Sequence, residues 1–163
     1  HIRLGASGKI VSAFDMVRVI ALGADWCNSA RGFMFALGCI QAQTCHTGNC
    51  PTGVTTQDPK RQVALVVPDK AQRVRNFHRN TLESLKELLE AAGLHKPSEL
   101  SLRHVMRRIS HSETRPLSVL YPTVPSGSLR QANTSEALQS LPLIFQDHWL
   151  SATASSFEPV TLH

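Results

Sequence analysis

The chain has little of what marks the simpler protein classes. No apolar run in its 163 residues approaches the roughly 18 needed for a bilayer-spanning helix, so this stretch carries no such helix. No signal-peptide pattern opens it. Charge of one sign is never concentrated: the formal net charge is +5, with lysines and arginines spread along the middle. That spread describes a solvated basic face and speaks against nucleic-acid binding. G-x-G-x-x-G is absent. Gly5-x2-Gly8-Lys9-Ile10 has neither the spacing nor the hydroxyl of the NTPase phosphate loop. There is no C-x2-C pair of the kind that marks zinc ribbons, and no internal repeat. His1 is not an initiator methionine, and His1-Ile-Arg-Leu-Gly-Ala reads as a strand already in progress, so the chain is expected to be the carboxyl-terminal part of a longer protein.

What the chain does have is a concentration of sulfur. Three of its four cysteines, Cys39, Cys45 and Cys50, form the run C-x5-C-x4-C-P. Thiolates this close in a Gly/Thr/Asn-rich loop can converge on one soft metal centre. Three is one short of a four-cysteine cluster or a closed zinc site. The residues alone leave three readings open: a cluster lacking one iron corner, zinc with His46 as fourth ligand, or plain thiols and disulfides. Cys27 lies apart and reads as a small buried thiol. Clustered cysteines without an export pattern point to a reducing compartment, so a cytoplasmic protein is expected, with a membrane anchor upstream left open.

Along the chain, Ile2 to Ala6 reads as a strand and Ser7-Gly8-Lys9 as a tight, anion-tolerant loop. Ser12-x-x-Asp15 resembles a capping box opening a helix with Phe14, Val17 and Ala21 on its inner face and Gly23 past its end. Ala24 to Asn28 reads as a second strand, Ser29-Ala30-Arg31 as a turn, and Gly32 to Leu37 as a helix. This alternation predicts an α/β fold with parallel strands. Asp69 is expected to cap a long helix carrying Ala71, Val74, His78, Leu82, Leu85, Leu89 and Ala92, ended by Gly93. Pro97 to Leu100 reads as a turn, and Ser101 as the cap of a basic helix reaching Ile109. From Ser112 the chain turns Ser/Pro/Thr-rich, with helical turns expected near Ser135–Ser140 and Leu143–Trp149 and the rest loosely ordered.

Read as one block, Gly23-Ala-Asp-Trp-Cys-Asn-Ser-Ala-Arg31, Ala36-Leu-Gly-Cys39 and Cys50-Pro51-Thr-Gly-Val-Thr-Thr-Gln-Asp58-Pro59 resembles the FMN-binding domain of glutamate synthases. It is nearer to the shorter single-domain members. Asn76-Phe77-His78-Arg79-Asn80 and His104-Val105-Met106-Arg107-Arg108 extend the likeness, and Trp149 with Ser155 to Pro159 resembles the family's closing segment. The resemblance implies the last two β/α units of a TIM (β/α)8 barrel over residues 1–59 and a helical cap over 60–111, while composition makes 112–163 a partly disordered tail. It implies Cys39, Cys45 and Cys50 as ligands of a [3Fe-4S] cluster. Around the FMN phosphate it implies Ser7, Gly8 and Lys9 after the seventh strand, and Asn28, Ser29, Ala30 and Arg31 after the eighth. Larger members carry Asp-Gly-Gly where this chain has Ser7-Gly8-Lys9, and Gly-Thr where it has Ala30-Arg31.

The chemistry implied is reduction of 2-iminoglutarate, formed from 2-oxoglutarate and ammonia, to L-glutamate. Electrons would come from a ferredoxin or a pyridine-nucleotide reductase. A complete barrel takes roughly 250 residues. The six earlier strands would lie elsewhere, and this chain alone is expected to be inactive with apolar strand edges exposed. The rival reading is a non-catalytic zinc-binding or interaction module.

Overall fold

The computed structural model describes residues 2–125, 127–131, 138–151 and 154–155. The chain divides into two compact units, His1–Arg107 and Arg108–His163. It is a mixed α/β protein with small two-stranded sheets.

In the first unit, β1 (Gly5–Ser7) and β2 (Trp26–Asn28) pair in parallel, with Gly5 opposite Trp26, Ala6 opposite Cys27 and Ser7 opposite Asn28. Both strands start later than Ile2 and Ala24, where the apolar pattern begins. The reason lies at Leu4: its N–H donates to an Asp25 carboxylate oxygen at 2.7 Å, while its carbonyl accepts from Asp25 N–H at 2.8 Å. One acidic side chain thus stands in for the next rung of the ladder.

Helix α1 (Ala13–Ala21) joins the strands and begins in a true capping box. The Asp15 backbone N–H donates to Ser12 Oγ, and the Asp15 carboxylate accepts from the backbone N–H groups of Ser12 and Val11 at 2.9 and 3.2 Å. These donors hold the Asp15 carboxyl below its usual range. At the far end Gly23 (φ 110°) closes a Schellman turn, its N–H on Ile20 O and that of Ala24 on Val19 O. Ala13, Val17 and Ala21 are buried, whereas Phe14, expected on the inner face, is 55% exposed.

Helix α2 (Arg31–Leu37) follows β2, and α3 (Pro59–Gln62) and α4 (Val67–Ala91) follow the cysteine loop. Helix α4 packs on both α1 and α2. At Gly32 a Cβ would lie 2.6 Å from Phe77 Cζ, so α2 and α4 meet where a side chain is missing. Beside that contact Phe33 and Phe77 stack edge-to-face at 5.2 Å. The inner stripe of α4 runs through Val74, Phe77, Thr81, Leu85 and Leu89; Ala71 and Ala92 are exposed, and His78 and Leu82 are exposed at the rim of a cavity beside Cys27. The helix is capped by Val66, three residues before the expected Asp69. Pro68 fits the first turn, where no N–H is needed, and Asp69 sits within that turn. Gly93 follows its end as expected.

The basic segment after Ser101 is not the helix its charge pattern suggests. His104 Nδ1 accepts from Ser101 N–H at 3.0 Å and closes a single 3-10 turn over Leu102–His104. Val105 is then extended and buried (5% exposed), and Met106–Arg108 is a strand. Burial of one β-branched residue outweighs the helical pattern.

In the second unit, Ile109 N–H donates to Glu113 O at 2.9 Å in a tight turn before a strand at Thr114–Pro116. Leu117 of the short helix Leu117–Leu120 is buried, and another helix occupies Leu143–Ser151, over the expected turn. Of the other expected tail features, residues 135–137 and 156–159 lie outside the described residues. No helix among the described residues is long and apolar enough to cross a membrane.

Candidate cofactor site

Parallel pairing brings the exits of β1 and β2 to the same end of the sheet. After Ser7, Gly8 (φ 100°) and Lys9 (φ 55°) both take left-handed conformations and turn the chain back to Ile10, which is 2% exposed. Nothing lies within 4 Å of where a Gly8 side chain would start, so its backbone is open to approach. After Asn28, Ser29 Oγ donates to Ile10 O at 2.7 Å and ties the second turn to the first. Ala30 then leads into α2, with Arg31 exposed at its first position. Ser7, Gly8, Lys9, Asn28, Ser29, Ala30 and Arg31 are therefore neighbours, and two cations, Lys9 and Arg31, stand at the two exits.

The cysteine loop starts where α2 stops. Gly38 (φ 109°) and Cys39 close the helix in a second Schellman turn, with Cys39 N–H on Met34 O at 2.9 Å. Gln41 N–H then points back at Cys39 Sγ, 3.5 Å away. Gln41 (φ 58°) and Gln43 (φ 57°) are left-handed without being glycine, which concentrates backbone strain between the first two cysteines. Cys45 opens a 3-10 turn ended by Gly48, and Cys50 is buried. Beyond it, Gly53 (φ 80°) presses on α3: a Cβ there would sit 2.4 Å from Arg61 O. Asp58 caps α3 through Lys60 N–H at 2.9 Å with Pro59 at the first position, and Arg61 reaches back to Asn49 O at 3.2 Å.

All four cysteines are free thiols. Cys39, Cys45 and Cys50 line one small cavity of about 20 Å³, together with Thr52 and Thr55. Hydrogen bonds from the Thr52 hydroxyl and then the Thr55 backbone N–H lower the Cys50 pKa to about 6. Thr55 Oγ1 is itself buried and makes no hydrogen bond of ordinary geometry, and its side chain adds a smaller lowering effect on Cys50. His46 is exposed and is not in that lining, and Cys27 lines a separate cavity with Phe33, Phe77 and His78. Burial pushes the Cys27 thiol up, the opposite direction from Cys50. Among the described residues no three of His, Cys, Asp or Glu form a ready metal cage. The donor set nevertheless suits a soft cluster: three cysteines, one biased to thiolate, an amide N–H on a second sulfur and a buried hydroxyl beside them.

The turn after β2 and the cysteine loop share a wall. A second cavity of about 290 Å³ is lined by Ala30 and Arg31, by Cys39 and Cys45, and by Gln41 and Gln43 between them. Spacing alone gave no hint of the two glutamines or of Thr55. Only the left-handed turns and the burial of one hydroxyl reveal them.

Two parallel β/α units, a cationic turn at their carboxyl ends and a three-cysteine loop beside it define a mixed α/β protein. The chain belongs to the glutamate synthase family: the family model for the conserved region in glutamate synthase matches residues 1–95. It is 46% identical over 108 residues to the glutamate synthase large subunit-like protein YerD of Bacillus subtilis, covering 66% of this chain and 21% of that protein. An archaeal-type glutamate synthase [NADPH] of Thermotoga maritima is 34% identical over 108 residues, with the same coverage of 66% and 21%. The glutamate synthase [NADPH] large chain of Azospirillum brasilense is 27% identical over 148 residues, 87% of this chain and 10% of that protein. The chain thus spans about a fifth of the length of the first relatives it matches.

Proposed function

We propose that this chain supplies the phosphate-side turns and the cluster loop of an FMN and iron–sulfur oxidoreductase of the glutamate synthase type. The reaction would reduce 2-iminoglutarate, from 2-oxoglutarate and ammonia, to L-glutamate. The observation that carries this reading is one cavity lined by Arg31 together with Cys39 and Cys45. In this reading β1–α1 and β2–α2 are the last two units of a (β/α)8 barrel, whose phosphate sites commonly follow the last strands.

When bound, the flavin supplies hydride and single-electron chemistry and the cluster passes single electrons. The chain's own residues hold and orient. Arg31 offers a forked guanidinium to phosphate oxygens, Lys9 adds a point charge, and the open backbone at Gly8 admits close approach. Asn28 and the Ser7 and Ala30 backbone complete that turn, while Ser29 fixes its shape through Ile10. Cys39, Cys45 and Cys50 bind iron as thiolates, and Gln41 N–H donates to the Cys39 sulfur.

The NADPH in the names of the Thermotoga and Azospirillum relatives favours a pyridine-nucleotide reductase over a ferredoxin as electron source. With two barrel strands present, the chain alone does not turn over 2-oxoglutarate.

The test is anaerobic reconstitution of the whole chain with iron and sulfide. Iron and acid-labile sulfide should be retained in the three-to-four ratio of a [3Fe-4S] cluster, with the paramagnetic signal of a three-iron cluster. A colourless chain holding one zinc and no sulfide would overturn the reading in favour of a Cys3His zinc module.

A further inference from the structure

Three threonines follow Cys50, and the structure uses their hydroxyls differently. Thr52 Oγ1 lies 3.5 Å from Cys50 Sγ. Thr56 Oγ1 accepts from Asp58 N–H at 3.1 Å, just ahead of α3. Thr55 Oγ1 is shut away from water and makes no hydrogen bond of ordinary geometry, although its residue lines the same small cavity as Cys39, Cys45 and Cys50. A buried hydroxyl without water or a well-formed bond is uphill in free energy, and native structures rarely leave one so. Three cysteines share that cavity's wall with it.

We propose that Thr55 is a positioning residue whose hydroxyl donates a hydrogen bond to a sulfur atom of the iron–sulfur cluster held by the three cysteines. This rests on the cluster reading above and goes beyond it in assigning a specific side-chain donor. A hydrogen bond to cluster sulfur favours the form with the extra electron, because the proton's partial charge offsets the added negative charge. Thr55 therefore raises the reduction potential, and the backbone N–H on Cys39 acts in the same sense.

The test compares Thr55→Val, which keeps the shape and removes the hydroxyl, with Thr55→Ser, which keeps the hydroxyl. Each whole chain is reconstituted anaerobically with ferrous iron and sulfide, then titrated with dithionite under electron paramagnetic resonance. Proton hyperfine spectra are recorded in H2O and D2O. Thr55→Val should take up wild-type iron and sulfide, reduce at a lower potential, and lose one exchangeable-proton coupling. Thr55→Ser should keep both properties. If Thr55→Val alone fails to load, the hydroxyl is needed to hold the cluster, which supports the assignment. Wild-type potential and coupling in Thr55→Val would overturn it, as would equal loss of iron in both variants, which assigns Thr55 to packing. If the wild-type chain itself takes up no iron and sulfide, the cluster reading fails first and this inference falls with it.

Discussion

Replacing Gly53 by alanine tests whether the cysteine loop is held in shape by its contact with α3. Two costs are visible. The residue has φ 80°, where an added Cβ costs about 1–2 kcal/mol. The same Cβ would start 2.4 Å from Arg61 O, and a backbone carbonyl within a short capped helix cannot swing aside as a side-chain tip would. Forcing such a contact adds about 1–3 kcal/mol. Gly48 provides the control: it shares the left-handed conformation (φ 72°) but has nothing within 4 Å. Gly48→Ala should therefore show the conformational cost alone, about 1–2 kcal/mol. Gly53→Ala should total about 2–5 kcal/mol by summing the two terms. Urea denaturation of both variants gives the difference directly, provided the slopes match. Gly53→Ala should also hold less iron after reconstitution, because Cys50 lies three residues before it. Equal destabilisation by the two substitutions would refute the argument that the α3 contact shapes the loop.

Further expectations concern single groups. Cys45→Ser should abolish stoichiometric iron and sulfide uptake; undiminished uptake would remove Cys45 from the ligand set. In the metal-free chain, ultraviolet titration should show a thiolate forming near pH 6, absent in Cys50→Ser and shifted upward in Thr52→Val, since the Thr52 hydroxyl is the first cause of the lowered Cys50 pKa. A lone titration at the ordinary cysteine value would contradict this. Asp15→Asn should cost about 0.5–2 kcal/mol as a damaged helix cap. Because the folded Asp15 pKa lies below its ordinary value of 3.8, the wild-type advantage is fully present above that pH and shrinks as pH falls through the folded value. Stability curves for the two chains that stay parallel through that range would show that Asp15 carries no such linkage.

The first β/α units were legible because their punctuation is local. Ser12 and Asp15 start α1, Gly23 and Gly38 stop α1 and α2, and each glycine takes the left-handed conformation that such a stop needs. What escaped was set by distant partners. Asp25 shortens the first strand by taking both polar groups of Leu4. Pro68 moves the start of α4 back to Val66, and burial of Val105 replaces an expected helix with a strand. Phe14 lies on the expected helix but faces outward, since periodicity locates an apolar face without saying what covers it. At the site, the cysteine spacing singled out the loop. The shared wall between Arg31 and Cys45, and the hydroxyl of Thr55, follow from how α2 ends and from a burial no spacing reports.

Helix α2 has a consequence as a spacer. Arg31 is its first residue, and Cys39 follows its closing glycine, so a single seven-residue rod joins that guanidinium to the first cysteine of the loop. At 1.5 Å per residue that rod is about 10 Å long. One inserted residue would lengthen it by about 1.5 Å and swing the cysteine by about 100° around the axis. The interval between Arg31 and Cys39 is thus written into the length of one short element, as a gauge block sets a gap.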